Sequence, residues 1–412
     1  MKCRHCQSPL TLSLLDLGSA PPSNAYLTEA TLHAPEKWFP LRVLVCQKCW
    51  LAQTEDFAQA DELFSADYAY FSATSSTWLA HARRYVARMV ERFNLNADSF
   101  VIEVAANDGY LLQYMQARQI PCMGIEPTAS TASVARSKGL DMVESFFGVR
   151  LADELRASGK QADVMAANNV LAHVPDINDF TAGFARLLKP HGVATFEFPH
   201  LLRLLAACQF DTVYHEHYSY LSLIAVQSIF TACGLTVFDV EEHSTHGGSL
   251  RVFACRSDAA EHCSEKASLA RVEQMLKKEL DAGMNTIAFY HGFQSKAESI
   301  KNEFSSFLLT AKKQGRKVAG YGAAAKGNTL INFAGIRSDL LPYVVDRSAS
   351  KKGKYLPGSR IPIVDESRLG ETRPDYIIIF PWNIKNEIME QLSYARAWGA
   401  QFVTAVPSLE LQ

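Results

Sequence analysis

The stretch FVIEVAANDGYLLQYMQAR, residues 100–118, decides the fold. Its first five residues are apolar apart from one glutamate and predict a buried strand, and residues 109–118 have the spacing of a helix. A second strand, CMGIE (122–126), and a second helix, TASTASVARSKG (128–139), follow directly. Repeated strand–helix alternation predicts an α/β fold built on a parallel, doubly wound sheet.

The alternation continues and then ends in a hairpin. ADVMAANNV (162–170) and GVATFEFP (192–199) are predicted strands, with a helix over residues 176–188 between them. LTVFDVEEH (235–243) and SLRVFACR (249–256) are strands joined by a short Thr-His-Gly-Gly turn. A closing hairpin places one antiparallel strand in the sheet, which distinguishes the Rossmann-like fold of S-adenosylmethionine (SAM) enzymes from the dinucleotide-binding one.

A second α/β unit is predicted near the C-terminus. Residues 257–314 are polar and helix-rich, without strand candidates, and we expect a connecting helical arm. RKVAGYGA (316–323), LPYVVDRS (341–348) and DYIIIFPWN (375–383) then predict strands, and a helix begins at Ala324. This pattern predicts a further Rossmann-like domain.

Two cysteine pairs occupy the N-terminal segment. Cys3-Arg-His-Cys6 and Cys46-Gln-Lys-Cys49 are C-x2-C pairs separated by 39 residues. Two residues between thiolates let one turn present both sulfurs to one metal, and two such turns complete a tetrahedron. We therefore expect the four thiolates to bind Zn²⁺ in a closed, structural site, and not to be four ordinary reduced cysteines. His5 is not expected to be a ligand.

The turn after residue 104 predicts the cofactor site. A strand-to-helix turn of small residues lets a ligand approach the backbone, and Glu126 ends the next strand, where a carboxylate can accept hydrogen bonds from ribose hydroxyls. The turn lacks G-x-G-x-x-G, which favours SAM over NAD. Glu103 faces the same turn and either holds the ligand's amino group or bonds the loop backbone. The expected cofactor-binding residues are Glu103, Ala105, Asn107, Asp108, Gly109, Glu126 and Asn168.

Charge and hydropathy exclude other classes of protein. Lysine and arginine number 41 against 43 aspartates and glutamates, a near balance that argues against a nucleic-acid partner. MKCRHCQSPL at the start lacks an apolar stretch of signal-peptide length, and no segment suggests a membrane span. The five remaining cysteines are scattered and suggest reduced thiols. We therefore expect a cytoplasmic protein.

Two polar stretches follow strands of the first sheet. Asn168-Asn169-Val-Leu-Ala-His173 begins at the end of the strand over residues 162–170, and Tyr214-His215-Glu216-His217-Tyr218 follows the strand over residues 192–199. The carboxyl ends of parallel strands are where such sheets place their chemistry. His173 alone is as compatible with a structural role as with a catalytic one. The second cluster is costly to bury without partners and can supply a base; metal binding by these adjacent residues is the disfavoured alternative.

The chain resembles the sugar C-methyltransferases that modify nucleotide-linked 4-keto-6-deoxy sugars. The resemblance covers nearly the full length and rests on the four-cysteine module together with several further motifs. These are VIEVAANDGYLL, GIEPT, NNVLAHV, YHEHYSYLS, THGGSLRVF, GYGAAAKGNTLINF, VVDRS and FPWN. It implies a zinc-binding module (1–60), a class I SAM methyltransferase domain (61–256), and a helical arm with a C-terminal α/β domain that binds the substrate (257–412).

The resemblance also implies roles for individual residues. His217 resembles the general base, with Tyr214 and Glu216 beside it, and His173 resembles a second active-site histidine. A tyrosine after the zinc module also reaches the family's site, here Tyr68 or Tyr70. Ala105 stands where glycine-rich methyltransferase turns have a glycine, which can shift the amino-acid end of the cofactor.

The segment GYGAAAKGN (320–328) follows a strand and opens a helix. Its glycines and Lys326 suit a diphosphate, although a tight turn with a solvated lysine has the same pattern. If the resemblance holds, Tyr321, Lys326 and Asn328 contact the nucleotide part of the substrate.

These features predict SAM-dependent C-methylation of a nucleotide-linked 4-keto-deoxy sugar at C3, with C5 as the alternative position. The ketone acidifies the neighbouring C–H, and His217 removes that proton to give an enolate. Two other functions stay open: O- or N-methylation of a small molecule, and a non-catalytic zinc protein that binds sugar nucleotides. The sequence leaves the nucleotide and the oligomeric state open, and a monomer is compatible with it.

Overall fold

The computed structural model describes residues 1–57, 71–263 and 265–412. These residues form three sheets with helices packed around them. The N-terminal sheet is antiparallel, in the order β1-β2-β3-β9. Its strands are β1 (Leu12–Ala20), β2 (Phe39–Val45), β3 (Ala52–Thr54) and β9 (Ser219–Tyr220). The last of these strands comes from the segment that carries His217, far along the chain.

The central sheet has seven strands in the order β10-β11-β8-β7-β4-β5-β6. They are β4 (Val101–Val104), β5 (Cys122–Ile125), β6 (Asp141–Val143), β7 (Ala162–Asn168), β8 (Leu188–Pro199), β10 (Leu235–His243) and β11 (Ser249–Arg256). Strand β11 runs antiparallel to both of its neighbours, and the remaining pairs among β4–β8 are parallel. The predicted Rossmann-like SAM methyltransferase fold, with its closing hairpin, is confirmed.

The C-terminal sheet has six strands in the order β14-β13-β12-β15-β16-β17, parallel except for β17. They are β12 (Val318–Tyr321), β13 (Val344–Val345), β14 (Ile363–Val364), β15 (Tyr376–Ile379), β16 (Gln401–Thr404) and β17 (Glu410–Leu411). The predicted second α/β domain is thereby confirmed.

Thirteen α-helices surround the sheets in the part of the chain that the structure describes. They are α1 (Ser76–Arg92), α2 (Leu112–Gln116), α3 (Ala129–Ser137), α4 (Val149–Ala157), α5 (Ile177–Leu187), α6 (Leu201–Ala206), α7 (Leu223–Ala232), α8 (Lys266–Asp281), α9 (Ile287–Tyr290), α10 (Phe293–Lys313), α11 (Ala325–Phe333), α12 (Ser367–Thr372) and α13 (Lys385–Gln391). None of the described helices is both long and apolar enough to cross a bilayer.

The observed elements differ in places from the predicted ones. The helix predicted over 109–118 is limited to α2, because residues 105–109 form a turn with three left-handed backbone conformations. Among the elements that the sequence analysis did not anticipate are β1, β6, β16 and α4. The described residues of the arm contain no strand, as predicted.

The core of the central domain is aromatic. Phe196 on β8 contacts Phe184 of α5 and Phe230 of α7, with ring centroids 4.6 and 4.7 Å apart. All three side chains are fully buried, and each contributes roughly 1.5–3 kcal/mol to stability by leaving water. This packing fixes the helices behind the carboxyl edge of the sheet, where the polar stretches lie.

The four cysteines of the N-terminal module converge. The Sγ atoms of Cys3 and Cys49 are 3.5 Å apart, those of Cys6 and Cys46 are also 3.5 Å apart, and all four lie within 4.8 Å of one another. A tetrahedral Zn²⁺ with Zn–S bonds of about 2.3 Å needs sulfur–sulfur distances of about 3.8 Å. The residues present therefore fit a zinc ion with no open coordination position.

The zinc module is attached to the rest of the protein at its first knuckle. The His5 ring hydrogen-bonds Asn178 Oδ1 at 2.8 Å and Ser228 Oγ at 3.0 Å, on α5 and α7. This histidine docks the module onto the central domain, in agreement with its exclusion from the predicted ligand set. Gln53 Nε2 donates to Cys3 Sγ at 3.3 Å, and Gln53 lies on β3. The metal site is thus connected to the strand that pairs with β9.

The helical arm is tied to the central domain by a buried carboxylate. Glu279 on α8 accepts hydrogen bonds from the backbone N–H groups of Leu223 (2.6 Å) and Ile224 (2.8 Å), which open α7. The His200 ring also donates to it, at 2.6 Å, and both side chains are fully buried. Negative charge at a helix N-terminus is stabilising.

We expect Glu279→Ala to reduce the free energy of unfolding by roughly 3–5 kcal/mol, because it leaves buried N–H donors and an imidazole without their acceptor. Urea denaturation followed by circular dichroism measures the change. Glu273→Ala, at an exposed position of the same helix, is the matched control and should change stability little. Equal stability of the two variants would contradict the role given to Glu279.

Cys46→Ser and Cys49→Ser should each abolish stoichiometric zinc binding and lower the melting temperature, since binding free energy of a structural zinc site is folding free energy. Metal analysis by mass spectrometry and differential scanning fluorimetry measure both effects. Cys122→Ser, outside the cluster, should keep one zinc per chain. Full zinc content in the Cys46 and Cys49 variants would rule out the four-cysteine site.

Candidate active site

A cavity of about 350 Å³ lies at the carboxyl edge of the central sheet. Its walls come from the turn after β4, the segment around residues 212–217 and the start of α11. Nine residues predicted from the sequence line it: Ala105, Asn107, Glu126, Asn168, His173, Tyr214, Glu216, His217 and Lys326. The predicted cofactor turn, base cluster and diphosphate segment therefore meet in one space.

The turn after β4 is unusual in its backbone. Ala105, Asn107 and Gly109 have φ angles of 58°, 50° and 75°, a left-handed region that residues with a side chain rarely adopt. A Cβ added at Gly109 would lie 2.2 Å from Leu140 Cδ1. This position therefore requires glycine both for its left-handed backbone and for lack of space. The turn exposes backbone to the cavity, and such conformations concentrate at functional sites.

Glu126 forms the next part of the cofactor side. Its carboxylate accepts from the backbone N–H of Asn107 at 2.9 Å and of Thr128 at 3.0 Å, which fixes it at the cavity edge. Each oxygen keeps a second lone pair for a ligand hydroxyl. Burial raises the pKa of this carboxyl group.

The apolar part of the same wall suits a flat ring. It is lined by Val104, Ile125, Phe147, Val170 and Phe180. An adenosyl group needs an apolar slot with a hydroxyl acceptor at its edge. The residues present therefore fit SAM.

Glu103, Asp108 and Gly109 do not line the cavity among the described residues; they support its turn. Burial raises the pKa of Glu103 well above its usual value, and it lies behind Tyr110, whose ring does line the cavity. Asp108 Oδ2 accepts from Ala73 N at 3.2 Å, and Asn107 Oδ1 accepts from Ser72 N at 2.9 Å. The turn thus holds the segment from residue 71 onward. Tyr68 and Tyr70 fall outside the described residues.

His217 is held in a defined tautomer. Its Nδ1–H donates to the carbonyl oxygen of Thr212 at 2.8 Å, which leaves Nε2 with the lone pair. Burial, with His173 nearby, lowers its pKa well below the usual value, so the imidazole is neutral. A neutral ring with its acceptor nitrogen fixed is suited to take up a proton.

The neighbours of His217 form a packed group. The Tyr214 and His173 rings lie with centroids 3.9 and 4.6 Å from that of His217. His173 Nδ1–H donates to the Glu216 carbonyl oxygen at 2.9 Å, and burial lowers its pKa to about 4. Glu216 Oε1 accepts from Asn24 Nδ2 at 2.6 Å. The segment is therefore fixed from the N-terminal module as well as from the central domain.

His215 points away from this group. Its Nε2–H is shared between the carbonyl oxygens of Phe39 (3.3 Å) and Pro40 (3.2 Å) on β2. Among the described residues, the four cysteines are the one set of three or more His, Cys, Asp or Glu residues placed to hold a metal. A metal held by His215, Glu216 and His217 thus finds no support within that part of the chain.

Two lysines approach the cavity from the C-terminal domain. Lys326, on α11, donates to Asn383 Oδ1 at 2.8 Å and lies 4.5 Å from the Trp382 ring centroid. Lys351 donates to the Ala323 carbonyl oxygen at 2.8 Å and also lines the cavity. Burial lowers the pKa of both amines. Two desolvated ammonium groups at the start of a helix form a site for anionic oxygens.

Tyr321 and Asn328 were predicted beside Lys326, but they do not line the described part of the cavity. Tyr321 OH donates to Gln391 Oε1 at 3.4 Å, within the C-terminal domain. Asn328 is buried and donates to the Ser23 carbonyl oxygen at 2.7 Å, which joins α11 to the N-terminal module. In the structure both side chains make contacts within the protein.

Among the cavity-lining residues that the sequence analysis did not identify are Asn24, Trp78, His246 and Lys351. The first lies in a Pro-rich loop and the last in a lysine-rich loop, which look like ordinary surface segments. Trp78 lies near the start of a helix, where an aromatic residue has the same pattern as a core residue. His246 had been interpreted as part of a hairpin turn, although a histidine in place of the usual turn residues is a signal that could have been used.

Three family models match the chain in consecutive segments. Residues 3–64 match a model described as "Putative zinc binding domain", residues 78–240 a "Methyltransferase domain" and residues 244–407 a "C-methyltransferase C-terminal domain".

Among solved structures, the chain is similar to magnesium protoporphyrin IX methyltransferase from Synechocystis PCC 6803 with bound SAM. The two are 16% identical, with a TM-score of 0.34 over 43% of this chain and 79% of that chain. The PH0226 protein from Pyrococcus horikoshii OT3 is 12% identical, with a TM-score of 0.36 over 46% of this chain and 95% of that one. These scores are too low to support a functional argument.

A curated relative matches almost end to end. C-methyltransferase NovU from Streptomyces niveus is 32% identical over 406 residues, which cover 98% of this chain and 95% of that protein. The match includes the segments that form the zinc module, the cofactor turn and the C-terminal sheet. The chain therefore belongs to the C-methyltransferase family and is a SAM-dependent methyltransferase with an N-terminal zinc-binding module.

Proposed function

We propose that the protein methylates carbon C3 of a nucleotide-linked 4-keto-deoxy sugar. The observation that carries the proposal is one cavity shared by a neutral histidine, the cofactor turn and two half-buried lysines. A saturated carbon next to a ketone becomes nucleophilic toward the sulfonium methyl group when it loses a proton and the ketone takes up the charge as an enolate. The substrate class follows from needing a ketone beside the base and an anionic group beside the lysines.

His217 removes the proton from the carbon next to the ketone. Nδ1–H is occupied by the Thr212 carbonyl oxygen, so Nε2 is the accepting atom. Positioned general bases of this kind typically contribute 10²–10⁴ in rate. The charged imidazolium that results is formed beside the Tyr214 ring, 3.9 Å away between centroids, where an aromatic face favours a cation.

The remaining residues of the cluster orient the base and the ketone. His173 or the Tyr214 hydroxyl donates to the C4 oxygen as negative charge develops there. Glu216 fixes the segment through Asn24. Bound SAM supplies the electrophilic methyl group that the enolate carbon takes up.

The lysines account for the nucleotide end. Lys326 and Lys351 are both half-buried and both line the cavity beside the start of α11. A diphosphate offers the charge that offsets the cost of burying two ammonium groups. This contact would hold the sugar ring at a fixed distance from His217.

The His217→Asn variant tests the role of the base. With dTDP- or GDP-linked 4-keto-6-deoxyhexoses in D₂O and no SAM, the unmodified enzyme should exchange the C3 proton for deuterium. The variant should lose this exchange and about 10²–10⁴-fold in kcat. NMR of the products locates both the deuterium and the methyl group.

His33→Asn, at an exposed position of the N-terminal module, is the matched control and should behave like the unmodified enzyme. Methyl transfer to oxygen or nitrogen without any exchange at carbon would overturn the proposal. A methyl group at C5 would correct the position while keeping the mechanism.

Acid should destabilise the fold through two half-buried imidazoles, those of His173 and His246. Burial lowers the pKa of His173 and of His246 to about 4, from the usual 6.5. The unfolded chain therefore binds more protons between these values, so the stability present above pH 6.5 is lost as the pH falls toward 4. Each such group contributes about 1.4 kcal/mol per pH unit.

Urea unfolding midpoints at pH 7, 6 and 5 measure this loss. His173→Asn removes one of the groups and should make the fall between pH 6.5 and pH 5 shallower by about 2 kcal/mol. The exposed His33→Asn variant should follow the unmodified protein at every pH. Parallel curves for all three proteins would show that His173 is not held neutral in the folded state.

A further inference from the structure

The imidazole of His246 borders the cavity, in addition to those of His173 and His217. His246 belongs to the turn between β10 and β11 and lines the cavity together with His217. Its ring packs edge-on against Trp78 at 5.0 Å, and Trp78 in turn lies 5.7 Å from the Tyr110 ring, next to the cofactor turn. The ring of His246 therefore lies beside Trp78 and next to the cofactor turn, and Lys326 is near enough to act on it electrostatically.

The ring nitrogens of His246 have no hydrogen-bond partner within residues 1–57, 71–263 and 265–412. Burial lowers its pKa to about 4, so at neutral pH one nitrogen is an N–H donor and the other an acceptor. Half-buried polar groups of this kind normally find partners. Its only described ring contact, with Trp78, is made by the ring edge and satisfies neither nitrogen. A bound molecule in the cavity can supply the missing partner.

The backbone that carries His246 is strained and firmly held. Its φ and ψ angles are 53° and 25°, in the left-handed region, which costs a residue with a side chain free energy. The turn is fixed on both sides, because Thr245 Oγ1 donates to Glu197 Oε1 at 2.9 Å and Gln209 Nε2 donates to the Gly247 carbonyl oxygen at 2.9 Å. A strained conformation that the surroundings impose is a feature of sites with a functional purpose.

Gly247, in the same turn, contacts the C-terminal domain. A Cβ at this position would lie 2.6 Å from the Trp382 ring of the C-terminal domain. Trp382 also packs against Lys326 and donates from Nε1 to Asp211 at 2.7 Å. His246 is thus positioned by the central domain on one side and by the substrate-binding domain on the other.

We propose that His246 is a catalytic residue whose N–H donates a hydrogen bond to the C4 oxygen of the substrate while negative charge develops there. The inference rests on the proposed function. The proton stays on the nitrogen throughout, so the residue stabilises the enolate without protonating it. Together with the donor from the His217 cluster it completes a two-donor arrangement for the oxygen. The diphosphate is the other anionic group of the substrate, and the two lysines already face it.

Three variants separate the hydrogen bond from the backbone strain. His246→Gly adopts the left-handed conformation readily and removes the donor. His246→Asn tolerates that conformation and keeps an N–H donor. His246→Ala removes the donor and disfavours the left-handed conformation. We expect His246→Gly to lose about 10²–10³-fold in kcat and in deuterium exchange at the sugar carbon. His246→Asn should recover part of both. Affinities for SAM and for dTDP or GDP, measured by calorimetry, should stay within about threefold.

Each result of these measurements bears on a different part of the proposal. Full exchange and full kcat in His246→Gly would overturn the role of His246 while leaving the proposed function intact. A loss of dTDP or GDP affinity, with kcat retained at saturation, would assign the imidazole to the diphosphate and overturn the inference as well. No exchange by the unmodified enzyme on any 4-keto sugar nucleotide would overturn the proposed function, and this inference with it.

Discussion

The pairing of β3 with β9 is the constraint on which the active site depends. Ala52 and Gln53 pair with Tyr220 and Ser219, while the Thr54 hydroxyl donates to the His217 carbonyl oxygen at 3.1 Å. The strand from the zinc module therefore holds the backbone of His217, the proposed base. A closed metal site has no chemistry of its own, but here it supports the segment that carries this histidine.

Burial sets the protonation state of the site. Segments next to each of the three sheets enclose the cavity. The imidazoles that line it are neutral because a charge is costly away from water. A neutral base does not repel the positively charged sulfonium group of SAM. The half-buried Lys326 and Lys351 reach the same cavity from the C-terminal domain, and the positive charge of Lys326 helps to keep His217 neutral.

Much of this arrangement could be predicted from the sequence, because hydrophobic periodicity and cysteine spacing are local signals. The central sheet, its antiparallel strand, the zinc cluster and the place of His217 follow from such patterns. What could not be predicted depends on distant contacts: Asn24 reaches Glu216 across 192 positions, and the short strand β9 has meaning only through its partner. Tyr321 and Asn328 were predicted to contact the ligand but do not line the described part of the cavity. A glycine-rich turn indicates a ligand site without indicating which side chains face the ligand.

The order of the strands along the chain has a consequence for biosynthesis. The N-terminal sheet receives its fourth strand from residues 219–220, so a ribosome must complete β4 to β8 before that sheet can close. Contacts between positions so far apart form slowly because of the chain entropy they cost. The first three strands must wait, with an open edge, for most of the Rossmann-like unit to emerge, whereas the four cysteines all precede β4 and can bind their metal while the sheet is still incomplete.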